Sequence, residues 1–200
     1  LKFGGRSLVT LTIIQNDINR LYDWSVRNRM KFHPQKCKAL SVSLQRNVLD
    51  NLPFNTFFYK LSGSDIDFVP SQSDLGVAIN SRFNWGAQCK ALVSKATSRL
   101  GLLKRTCHFT TDKRQKRSFY LALIRSIFEH CSVIWSPQSA THLQQFVAIQ
   151  KRAIKWINGE PYSSYNDDKL ATEQKKLNIL PVIQKFIYND LMTFYKIVNS

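Results

Sequence analysis

Apolar residues at Leu11, Ile14, Ile18 and Leu21, with Tyr22 and Ser25 beside them and polar residues between, follow a helical period and predict an amphipathic helix over about residues 11–29. Pro34 marks its end. The period then changes. Cys37 to Val42, Phe57 to Leu61, Ile66 to Val69 and Leu75 to Ile79 each read as short strands. Ser62-Gly63-Ser64-Asp65 has hairpin-turn chemistry, and Gly76 inside the last strand predicts a bulge or a close backbone approach. From residue 83 the alternation gives way to helical spacing. Trp85, Cys89, Leu92, Val93, Ala96, Leu100 and Leu103 mark one long helix; Phe119, Tyr120, Leu123, Ile124, Ile127 and Phe128 mark a second, with a cap near Thr111 and Asp112 in its first turn. Ser136-Pro137 separates it from a third, built on Leu143, Phe146, Val147, Gln150, Ala153, Ile154 and Ile157 and closed by Gly159 and Pro161. Two further helices are expected at about 167–178 and 182–198, divided by Pro181.

The expected fold class is therefore α+β: a small antiparallel sheet with one helix, followed by an all-α part. The chain therefore divides in two, at about residue 82. With 44% hydrophobic and 12% aromatic residues among 200, there is ample material for a core. No apolar run reaches the ~18 residues of a membrane span, and Leu1 to Arg6 has no signal-peptide layout. No membrane partner is expected through a span; the compartment, nuclear or cytoplasmic within the cell, is left open by the sequence. The start on Leu1 reads as a cut from something longer.

Charge narrows the function. The chain carries 29 Lys and Arg against 13 Asp and Glu, a net charge of +16, which is the footprint of a protein that meets phosphate-rich partners. Nucleic acid is the first candidate partner for this charge, and an anionic membrane surface stands second. The excess is concentrated. Lys90, Lys95, Arg99, Lys104, Arg105, Lys113, Arg114, Lys116, Arg117, Arg125, Lys151, Arg152 and Lys155 face only Asp112 and Glu129 between residues 90 and 155, so the phosphate-facing surface is expected on the helices. Trp85, Trp135 and Trp156 lie on or near apolar helical faces and are expected to pack rather than stack on bases. Cys37, Cys89, Cys107 and Cys131 are widely spaced, and neither Cys107-His108 nor His130-Cys131 has the ligand gap of a zinc module, so no metal is expected in this chain.

Several segments, in order and covering nearly the whole chain from Ile14, resemble the reverse transcriptases of jockey-like and related non-LTR retrotransposons. Leu21-Tyr22-Asp23-Trp24-Ser25 leading into Met30 to Lys38 resembles the helix and loop of the fourth palm motif, with His33 where the family usually has Asn. Ser73-Asp74-Leu75-Gly76-Val77 resembles the primer grip, followed by Arg99-Leu100-Gly101-Leu102-Leu103-Lys104-Arg105. Phe128 to Pro137 and Ile149 to Ile157 resemble the thumb pattern.

The resemblance implies the end of a palm over 1–82, a helical thumb over 83–158 and a helical extension over 159–200. It implies contact with an RNA template and a DNA primer through Leu75, Gly76 and Val77 and through Lys90, Lys95, Arg99, Lys104, Arg105, Lys113, Arg114, Lys116, Arg117, Lys151, Arg152 and Lys155. Lys36 matches the motif lysine for which a general-acid role toward pyrophosphate is proposed. The family's metal-binding aspartates belong to motifs upstream of those matched here, so magnesium is expected for the parent enzyme and not for this chain, which should polymerise nothing alone and bind no small-molecule substrate. Tyr165-Asn166-Asp167-Asp168 has the letters of the aspartate box, but it precedes a Lys-rich helix; it reads as a cap and two first-turn acids. The alternatives are a standalone helical RNA-binding or scaffold protein derived from such an element, or a pseudogene product without function. In either case the helical part is expected to fold more firmly than the first 82 residues.

Overall fold

The computed structural model describes residues 8–42, 59–109, 112–137, 139–160 and 166–199. It is α+β and divides into two compact units, 1–84 and 85–200. The amino-terminal unit opens with α1 (Leu8–Arg27), whose last turn closes when Arg29 takes positive φ and the Met30 N–H reaches back to the Ser25 carbonyl. A 3-10 turn, Pro34–Lys36, leads into β1 (Lys38–Ala39). Then come β2 (Lys60–Leu61), β3 (Ser64–Asp65), β4 (Asp67–Phe68), β5 (Ser71–Asp74) and β6 (Val77–Asn80).

These strands do not form the single antiparallel sheet that alternation suggests. They pair two by two: β2 with β3 and β5 with β6 antiparallel, and β1 with β4 parallel. The Ser62-Gly63 turn is present, with both residues at positive φ as a type I′ hairpin requires, but its returning strand is Ser64–Asp65. The chain then leaves that hairpin, and Asp67–Phe68 lies beside Lys38–Ala39, a long-range pairing that no local pattern encodes. Phe57 and Phe58 of the expected second strand lie outside the described residues. Tyr59, Leu61 and Ile66 form the small core, with Leu11, Ile14, Ile18 and Tyr22 of α1 packed on it.

The second unit holds α2 (Gly86–Thr106) and a continuous helical rod: α3 (Lys113–Tyr120), a π turn over Leu121–Arg125, and α4 (Ser126–Glu129). Thr111 lies outside the described residues, and Asp112 is itself the cap, accepting from the Arg114 N–H at 2.8 Å. The rod ends before Ser136-Pro137, because Cys131 turns the backbone left-handed at φ 52°. A single turn, α5 (Ser132–Trp135), follows. Next are α6 (Ala140–Asn158), α7 (Asp167–Lys176) and α8 (Val182–Val198). Gly159, at φ 71°, ends α6 with the paired bonds of a Schellman motif, from Glu160 N to Lys155 O and from Gly159 N to Trp156 O.

Phe146 of α6 is the centre of the core. It stacks edge-on against Phe128 at 5.0 Å and Phe186 at 5.8 Å and lies 5.7 Å from Trp135, so α4, α5, α6 and α8 meet around one ring. Each such aromatic pair adds about 0.5–1.5 kcal/mol to the burial itself. The last helix, expected in an extension, thus shares this core: Phe186 packs on Phe146 and is buried, as is Val182. Phe119 and Leu123, expected inside, stay 36% and 39% exposed at the edge of the rod.

Polar contacts fix the loop between α7 and α8. Gln150, fully buried, donates to the Leu180 carbonyl at 3.0 Å and accepts from the Val182 N–H at 2.9 Å. Arg125, also buried, donates to the same carbonyl and pairs with Glu129 at 2.8 Å. We predict that Gln150→Leu, which strands the Val182 N–H, lowers unfolding stability by about 1–3 kcal/mol in a urea titration. On α7, hydrogen bonds from Lys176 first, and also from Asn158, hold the Glu173 carboxyl below the ordinary range despite its partial burial. A lowered folded pKa stabilises above the unfolded value and is lost as pH falls through the folded one. The acid limb of the stability curve is therefore expected to be shallower in Glu173→Gln than in the wild type.

Candidate nucleic-acid interface

On the second unit, the carboxyl-terminal end of α2, the start of α3 and one face of α6 enclose a groove of about 550 Å³. Its wall on α6 is a single stripe: Ala148, Lys151, Arg152, Lys155, Trp156 and Gly159 recur at intervals of three and four residues. The opposite stripe of the same helix, Phe146, Ile149, Gln150, Ala153, Ile154 and Ile157, is the core face. One helix thus carries both, and the core sets the direction of the basic stripe. Lys104 and His108 come from the end of α2, and Lys116 from α3. The His108 Nδ1 donates to the Arg105 carbonyl at 2.9 Å, which fixes its tautomer.

Five cations and one carboxylate, Glu160, line the groove, and Glu160 is paired with Lys169 at 2.9 Å. Lys116 stands apart from the other four. It is only 9% exposed, its Nζ lies 5.7 Å from the centre of the Trp156 ring, and among the described residues no carboxylate is within ion-pairing distance of it. An ammonium facing an aromatic ring is partly stabilised by the ring quadrupole.

Of the residues expected at the interface, the groove brings together Lys104, Lys116, Lys151, Arg152 and Lys155. Lys90, Lys95, Arg99, Arg105, Lys113 and Arg114 are exposed elsewhere on α2 and α3, with Arg99 reaching the Leu123 carbonyl at 3.5 Å. Arg117 departs from the expectation: its Nε and Nη2 donate to the carbonyls of Leu177 and Asn178, so it clasps the end of α7. Two groove residues are not legible in the sequence. His108 carries no signal, and Trp156, expected in the core beside the fully buried Trp135, is half-buried in the groove wall. The three- and four-residue spacing from Ala148 to Gly159 is the available clue.

In the other unit, Lys36 is exposed at the end of its 3-10 turn. Leu75 and Gly76 are not in a strand. They are the two central residues of the β5–β6 hairpin, at φ 47° and 83°, and Val77, which follows, is buried. Positive φ at both positions is what a two-residue type I′ turn demands, which explains the glycine and makes the leucine unusual. Leu75 is 85% exposed at the tip.

The acidic pair at the start of α7 has the geometry read from its context. Asn166 caps the helix by accepting from the Lys169 N–H at 3.0 Å, and Asp167 and Asp168 occupy the first turn. Tyr165 lies outside the described residues. Carboxylates spread around a helix start do not fit a two-metal centre, and among the described residues no group of three or more His, Cys, Asp or Glu is placed to hold a metal.

Fold and site together define an α+β chain with a basic, tryptophan-walled groove on its helical unit. No protein-family model, curated protein or solved structure matches the chain. For the hairpin tip we predict that Leu75→Asn, which suits the turn better, raises stability by about 0.5–1 kcal/mol. If nucleic-acid affinity falls in the same variant, Leu75 is held in that conformation for contact with the partner; unchanged affinity would make it a turn residue only.

Proposed function

We propose that the chain is a nucleic-acid-gripping fragment of a non-LTR retrotransposon reverse transcriptase, the end of its palm and its thumb, binding primer-template and unable to polymerise alone. The single observation that carries the binding half is the groove: Lys116, Lys151, Arg152 and Lys155 converge beside Trp156, with Lys116 buried and, among the described residues, lacking a carboxylate partner. The net charge of +16 supplies the long-range attraction that brings a polyanion to it. The family half rests on the ordered segments from Leu21 to Ile157, among them the Leu75-Gly76 pair and the Lys36 loop. The expected inactivity is supported by the acidic pair: Asp167 and Asp168, which spell the aspartate box, occupy the first turn of a helix.

Titration of a labelled RNA–DNA primer-template across a salt series, with magnesium and nucleotides in the same tubes, tests both halves. Affinity should fall steeply with salt, with no primer extension. Replacing Lys151 and Arg152 by Glu should weaken binding at every sequence and lower the slope of log affinity against log salt by about 1 for each phosphate no longer neutralised. Extension of the primer would refute the inactivity, and absence of binding at low salt would refute the grip.

A further inference from the structure

We propose that the groove receives an unpaired nucleotide of the template strand, its base against Trp156 and its phosphate at Lys116; this rests on the nucleic-acid reading above. Three observations carry it. First, a surface that only tracks a duplex backbone needs exposed cations, which Lys113 and Arg114 already provide on the same helix as Lys116. The groove adds a concave wall with an aromatic side chain, and a volume of about 550 Å³ lies within the ~300–1,000 Å³ range that encloses small organic groups. A duplex keeps its bases stacked inside and cannot offer a ring to such a wall, whereas a single strand can.

Second, Trp156 offers an aromatic surface: it lines the groove two residues before the end of α6 at Asn158, while the next residue, Ile157, is buried in the core. Lys116 lies over the ring at 5.7 Å, leaving the ring polarised between a fixed cation and whatever stacks on it. Third, Lys116 lines the groove with no carboxylate partner among the described residues. A phosphate attached to the sugar of a stacked base supplies it with an anion, while Lys151, Arg152 and Lys155 continue the phosphate path along α6.

The test compares the full chain's affinity, by fluorescence anisotropy, for an RNA strand of about 10 nucleotides, its abasic counterpart and a blunt RNA–DNA hybrid of the same sequence. The intact strand is expected to bind about tenfold tighter than the abasic strand and than the blunt hybrid. Trp156→Leu should abolish that preference and Trp156→Phe should keep most of it, with salt-dependent binding retained in both. Equal affinity for the intact and abasic strands overturns the inference and leaves the phosphate grip standing. Loss of binding to all three ligands overturns the inference and the grip together. The wild-type comparison needs no variant, so a Trp156 substitution that misfolds does not blunt the test.

Discussion

Three helical segments of the second unit converge on the ring of Phe146, which a fourth, α6, supplies. Because Phe128, Trp135 and Phe186 reach it from α4, α5 and α8, the rotation of α6 about its own axis has one solution. Everything on the far face of α6 inherits that solution. The stripe from Ala148 to Gly159 points away from the core only because Phe146 and its companions at Ile149, Ala153 and Ile154 point into it. A surface chosen for charge is thereby given a direction by a core chosen for shape.

The polar contacts inside this unit do a second job. Arg117, Arg125 and Gln150 direct their hydrogen bonds to main-chain groups of the α7–α8 loop, at Leu177, Asn178, Leu180 and Val182. Apolar packing alone is non-directional and would leave α8 free to slide along the aromatic cluster. Directed bonds to successive carbonyls remove that freedom, and they withdraw two guanidinium groups that would otherwise have added to the basic surface. Tyr120, fully buried beside them, has its phenol pKa raised by burial, with the Arg125 charge opposing.

Helical periodicity is readable, and several helices add a start or stop signal: Asp112 and Asn166 cap α3 and α7, Gly159 ends α6 and Pro181 precedes α8. The strands are less readable, since they are two to four residues long and their partners are chosen by tertiary packing. Leu75 misleads for a specific reason: an apolar residue in a run of small apolar residues reads as strand, and only the backbone shows it at positive φ. For the groove, the cations of α6 are all legible along the chain, but their convergence with Lys104 and Lys116 depends on how α2 and α3 pack on α6. Charge alone cannot separate Arg114, which is exposed, from Arg117, which three residues later is tied to a loop.

The π turn at Leu121–Arg125 sets a different sort of constraint. Such a turn behaves as an α-helix holding one surplus residue, so its length is part of its meaning. Delete one residue between Tyr120 and Ser126 and the rod relaxes to regular helix, turning all that follows by roughly a quarter revolution. Phe128 would leave Phe146, and the Arg125 guanidinium would leave the Leu180 carbonyl. Along this stretch drift in sequence can exchange one side chain for another, but the count of residues is held fixed, and any lineage carrying this rod should vary in its letters while keeping its spacing.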